Sequence, residues 1–187
     1  MARPRKISDD GLMAAAGRAI GRYGPGFTLA QVAGEAGVAV GTVAGRFGSK
    51  QNLLVAMMNI GAASVGPRMR AAARGLDPGA AITAAALVIA DGLDEPATVT
   101  NHLGQLGVDL ADPALRSGFA ALRASVHEVL TDLFAAAGLP GAPPPARAAR
   151  VIAALTHGAL MDWALNPHDA LADVLRADVQ AVLVSWR

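Results

Sequence analysis

No set of side chains in this sequence has the spacing of a catalytic centre. The four histidines, His102, His127, His157 and His168, stand far apart, and none belongs to an HExxH pattern. Ser64, Ser117, Ser125 and Ser185 lack a G-x-S-x-G context. Cysteine is absent, which excludes disulfides, cysteine nucleophiles and thiolate metal sites. No catalytic residue, no cofactor and no metal site is therefore expected. The chemistry that remains is contact with phosphates and base edges. Thr28, Gln31, Thr42, Arg46 and Lys50 fall close together, with the small Ala39, Val40 and Gly45 among them. Arginine and lysine reach phosphate or guanine, hydroxyls reach phosphate, and threonine and valine methyls meet thymine. The plain alternative is that these residues belong to a packed helical connector.

Those residues need two short helices and a tight turn to hold them. The stretch from Phe27 to Leu54 supplies that pattern. A helical period runs through Leu29, Val32 and Ala33, breaks at Gly37, and resumes at Val40, Val43 and Ala44. Such a pair is the skeleton of a helix-turn-helix. Ser8, with Asp9 and Asp10 after it, predicts the start of a first helix ending near Gly21. Thr28 is the expected N-cap of the second, with Gln31 exposed in its first turn. The third should run from Ala39 to Phe47, with Val38 buried in the turn. Ser49 then caps a long fourth helix reaching about Arg74, with a kink at Gly66-Pro67.

The remainder reads as five more helices, over about 80–91, 97–109, 113–138, 146–165 and 168–186. Asp112 and Pro113 mark the start of the seventh. The fold class is all-α. The expected division is a small DNA-contacting domain over 1–50 and a larger helical domain over 51–187.

Composition agrees. Apolar residues make up 53% of 187 residues while aromatics are 4%, so the core rests on alanine and leucine, both strong helix formers. The formal net charge is +1, but it is unevenly placed. Residues 1–54 hold seven Lys/Arg against three Asp/Glu, and the rest hold nine against twelve. A basic N-terminal part on an acidic body suits a nucleic-acid reader. Arg3, Arg5 and Lys6 form a basic tail able to follow phosphates. The basic start lacks the apolar run of a signal peptide. The apolar stretch over 80–90 is too short to span a bilayer. A cytoplasmic setting with no membrane association is expected.

Gly26-Phe27-Thr28, Val32-Ala33, Ala36-Gly37-Val38, Gly41-Thr42, Phe47 and Ser49-Lys50 together resemble the DNA-binding region of the TetR family of transcriptional regulators. Three residues depart from the pattern. Ala44 stands where the family usually has a phosphate-contacting tyrosine, and Arg46 stands where histidine is frequent. Ala39 replaces a frequent serine. The resemblance implies a homodimer on a palindromic double-stranded operator, and a repressor released by a small-molecule effector. It implies DNA contacts by Thr28, Gln31, Ala39, Val40, Thr42, Gly45, Arg46 and Lys50. Helices six to eight would line an effector pocket with His102, Leu106, Phe119, Leu122, Val126, His127, His157 and Met161. Their mainly apolar character points to an apolar or aromatic ligand. Helices eight and nine would form the dimer interface through Val151, Leu155, Gly158, Ala159, Asp162, Val174, Leu175, Val182 and Trp186. The alternatives are a ligand-dependent activator and a helical binding module without specific DNA recognition.

Overall fold

The computed structural model describes residues 7–187. The tail residues Arg3, Arg5 and Lys6 lie outside them. Among the described residues the chain forms nine α-helices and no strand: α1 (Asp9–Tyr23), α2 (Leu29–Ala36), α3 (Val40–Phe47), α4 (Lys50–Ala73), α5 (Pro78–Leu87), α6 (Pro96–Ala111), α7 (Pro113–Ala137), α8 (Pro145–Leu165) and α9 (Leu171–Ser185). Short 3₁₀ turns follow α1 at Gly24–Gly26 and α5 at Val88–Ala90.

The expected caps form. The Ser8, Thr28, Ser49 and Asp112 side chains each accept backbone N–H groups at their helix starts. Several boundaries move. α1 continues past Gly21 to Tyr23 and stops at Gly24, whose φ of 60° ends the helix. α3 starts at Val40, with Ala39 as an N-cap that has no hydroxyl to offer. α5 tightens into a 3₁₀ turn after Leu87 instead of running to Asp91. α9 begins at Leu171 rather than His168. The intervening Asp169 sits at φ 49°, and the His168 carbonyl accepts from Trp163 Nε1 at 3.1 Å. α4 runs through Pro67 as one helix.

Burial divides into three clusters. Leu12, Ala16, Ala19, Ile20, Phe27, Val32, Val43, Leu53 and Leu54 build a small N-terminal core, and Leu115 of α7 joins it. Val65, Met69, Ile82, Leu130, Phe134, Ile152 and Leu183 build the main core among α4, α5, α7, α8 and α9. Val99, Leu160, Trp163, Leu171 and Leu175 close the far end. α4 therefore begins in the first core and ends in the second. A residue at each end is fully removed from water, Leu53 in one and Met69 in the other. Burial of a side chain of that size contributes about 1.5–3 kcal/mol.

Two body helices grip α1 and the first turn of α4. Asn101 Nδ2 on α6 donates to the Gly21 carbonyl at 2.8 Å, and Gln51 Nε2 on α4 donates to Asp112 Oδ2 at the start of α7 at 2.9 Å. A Cβ on Gly21 would lie 3.0 Å from the Thr98 methyl. Gly21 thus packs against α6, and a larger residue there would press on Thr98.

Candidate nucleic-acid interface

The α2–α3 pair is built from short-range rules. Thr28 Oγ1 accepts from Gln31 N at 3.2 Å, and Gln31 Oε1 accepts from Thr28 N at 2.8 Å. This is a complete capping box, with the Thr-x-x-Gln spacing visible in the sequence. The expectation of a merely exposed Gln31 is corrected: its carbonyl is committed to the helix start, and only its amide N–H groups remain to reach outward. Gly37 takes the left-handed conformation at φ 66° that turns α2 into α3, a conformation that costs glycine nothing and other residues more. Val38 is half-buried rather than buried. Val43 is fully buried and pins α3 to the core.

Ala39, Val40, Thr42, Gly45 and Arg46 around Val43 are all exposed. Val40 is 47% exposed, unusual for a valine in a helix that has its own core. A Cβ at Gly41 or Gly45 would meet nothing within 4 Å, so packing inside the protein does not demand either glycine. The face is low, slightly apolar and flanked by one arginine. A surface of that relief can approach the floor of a major groove closely.

The cations around this face have partners inside the protein. Arg46 pairs with Asp9 of α1. Glu35 holds Arg18 at 3.3 Å and Arg22 at 3.5 Å, tying α1 to α2. Lys50 Nζ donates to the Pro25 carbonyl at 2.5 Å and stands 4.2 Å from the Phe27 ring centroid. Burial lowers the Lys50 pKa, and Asp109 partly opposes that. The expected outward reach of Lys50 is therefore corrected: its head is folded onto the Pro25–Phe27 turn, because carbonyl and ring together hold a desolvated ammonium.

Residues 12–57 match the family model described as "Bacterial regulatory proteins, tetR family", over the helices just described. The N-terminal helices are therefore similar to the DNA-binding region of that family of regulators. Solved structures share the whole fold. One is a transcriptional regulator from Rhodococcus sp. Rha1, 22% identical, covering 95% of this chain and 97% of that one with a TM-score of 0.72. A TetR transcriptional regulator from Streptomyces coelicolor is 21% identical, covering 96% and 98%, TM-score 0.68. One from Legionella pneumophila is 14% identical, covering 95% and 97%, TM-score 0.74. No curated protein matches the chain.

Among the described residues, those expected to line an effector pocket are spread over several places. His102 faces α1 across a crevice of about 1020 Å³, lined also by Arg18, Arg22, Glu35, Arg68 and Asp94. Burial lowers its pKa. Leu106, Phe119 and Leu122 are half-buried. Val126 is fully packed in the main core and is removed from the candidate lining. Met161 is 53% exposed. His127 and His157 do come together, around Arg123, which sequence reading did not single out. Its only signal was the four-residue step from Arg123 to His127 on one helix face. A second cavity, about 580 Å³, lies between α5 and the start of α9, lined by Leu87, Val88, Leu93 and Leu171 among others.

The expected dimer residues also divide. Val151, Gly158 and Asp162 are exposed on α8. Ala159 and Leu175 are buried in the protomer's own core, so their side chains are not free for a second copy. Leu155, Val174 and Val182 are half-buried and pack inward. Trp186 packs edge-on against Phe134, with ring centroids 5.7 Å apart. Apolar periodicity alone could not separate the two sides of α8, because both are rich in alanine and leucine. Among the described residues, no helix is long and apolar enough to cross a membrane.

Proposed function

We propose that this regulator is a repressor, released from a palindromic operator by a small, largely apolar or aromatic effector bound in its body. In this reading residues 1–50 are the reading head and 51–187 the effector and dimerisation domain. Thr28, Gln31, Ala39, Val40, Thr42, Gly45 and Arg46 face the DNA. Lys50 supports the head from behind and reaches phosphate only by leaving Pro25. The observation that carries the reading is the grip of the body on the head. Asn101 holds the last turn of α1, Leu115 enters the N-terminal core, and α4 runs from one core to the other. A shift of α6 or α7 therefore tilts α3.

A second copy is required because one eight-residue recognition helix makes few contacts, and a two-fold pair doubles them. Exposed residues on α8 recur at helical spacing as Val151, Ala154, Gly158 and Leu165, and α9 adds Val184 at 63% exposure. Small residues at the centre of that stripe suit close helix approach. We place the dimer interface there, recentred away from Ala159 and Leu175.

The test is fluorescence anisotropy on duplex selected from random sequence, with sedimentation of the same samples. Expected are an inverted-repeat site, a dimer, and a steep loss of affinity with salt. Binding without a preferred sequence would sink the reading in favour of a module with no specific recognition. Tighter binding once effector is added would replace repression by activation.

A further inference from the structure

Arg123 on α7 points its guanidinium at two imidazoles and at no acid. Its Nη1 lies 3.1 Å from His157 Nδ1 on α8, and its Nη2 lies 3.3 Å from His127 Nε2. Arg123 forms no ion pair among the described residues. The nearest acids along α7, Glu128 and Asp132, are held by Arg70 at 2.8 and 3.7 Å. Arg150 of α8 adds a further positive field, felt at His127. The only acid on α8 is Asp162, beyond His157 on the exposed face.

The hydrogen-bond roles in this cluster conflict. His157 Nδ1 also lies 2.9 Å from the Ala153 carbonyl. With a proton on Nδ1, the imidazole donates to that carbonyl and meets the Arg123 N–H donor to donor. Without it, Nδ1 accepts from Arg123 and makes no bond to the carbonyl. Either way the guanidinium, which has only donors, faces no anion among the described residues. A carboxylate set against the Arg123 fork supplies one. It accepts two N–H bonds, and it favours the protonated imidazoles that flank it.

The seam has an apolar continuation. α7 and α8 lie side by side and antiparallel, so one turn back along α7 from Arg123 and one turn on along α8 from His157 reach the same end. Those positions are Phe119, half-buried, and Met161, exposed.

We propose that the α7–α8 seam binds an amphiphilic organic acid, its carboxylate on Arg123 between His127 and His157 and its apolar body toward Phe119 and Met161. The proposal rests on the body being the effector-binding part, and it narrows the effector class from apolar molecules to apolar acids. Four of the eight residues expected to hold a ligand then serve one site.

The test uses octanoate, with octanol as the uncharged match, on the full chain. Imidazole carbon–proton NMR signals report all four histidines. Octanoate is expected to move the His127 and His157 signals saturably and raise their pKa values by about one unit, leaving His168 still, while octanol does neither. Arg123→Gln is expected to weaken octanoate at least tenfold, and Arg123→Lys less, since it keeps the charge and loses the fork. Equal shifts with octanol, or no saturable shift, overturn the site, and that comparison holds even if the Gln variant folds poorly. Operator affinity is measured in the same titration. Saturated octanoate shifts with unchanged operator affinity support the site and sink only its role as an effector switch.

Discussion

Arg46 shows how much one side chain's partner matters. It stands on the exposed face of α3, yet Asp9 of α1 holds it, and both are about half exposed. An exposed ion pair contributes roughly 0–1 kcal/mol, less than an arginine gains on a phosphate with counterion release. The pair therefore parks the guanidinium without disabling it. Arg46→Ala should weaken operator binding about tenfold and lower the salt slope by about one. Asp9→Ala should leave binding intact or tighten it a few-fold, because Arg46 no longer leaves a partner. Anisotropy titrations at several salt concentrations check both. An unchanged slope in Arg46→Ala would remove this residue from the DNA contacts. Ala44, half-buried, offers no polar atom to a phosphate, so on the proposed function more of that contact falls to Arg46 and to helix-end N–H groups.

At the scale of elements, α2 carries the arrangement. It has eight residues, too few to be stable alone, and the Thr28–Gln31 box satisfies its first N–H groups reciprocally. Thr28→Ala should cost about 1 kcal/mol of stability, seen as a lower unfolding midpoint in urea at unchanged slope. Operator affinity should fall further than that loss accounts for, since the same hydroxyl lies at the end of a helix that points its N–H groups outward. Restored affinity in Thr28→Ser with no restored stability would separate the two roles. α4 works differently. Its first turn serves the N-terminal core and its remainder the body, so it belongs to neither unit alone.

For the whole molecule, pH should matter through the histidines. Burial lowers the pKa values of His102, His127 and His157 below the ordinary 6.5, Arg123 adds to this at His127 and His157, and the Ala153 carbonyl opposes it at His157. The unfolded chain then binds protons first as pH falls through 6.5, so its proton count exceeds the native one and stability rises with pH in that window. Stability should be full above about pH 7 and decline from there toward pH 5. Thermal melts across that range check it. A flat profile would mean that these imidazoles are more hydrated than their packing allows. With octanoate present the decline should shrink, because the bound carboxylate favours the charged rings.

Local chemistry determined much of this protein without help. Alanine, leucine and capping residues fix a helical chain, and Gly37 with Val43 and Phe27 fixes the helix-turn-helix, because turns and caps depend on neighbours within four residues. On α3 the period places Thr42 and Gly45 away from the buried Val43, and both are exposed. Three things needed the tertiary structure. Lys50 turned inward because Pro25 and Phe27, far back in sequence, surround it. Ala159 and Leu175 turned to the core because α8 is apolar on both sides, and only its neighbours α7 and α9 decide which is covered. Arg123 joined His127 and His157 because two helices met antiparallel. Which side chains meet across helices is set by packing, and no local pattern in the sequence encodes it.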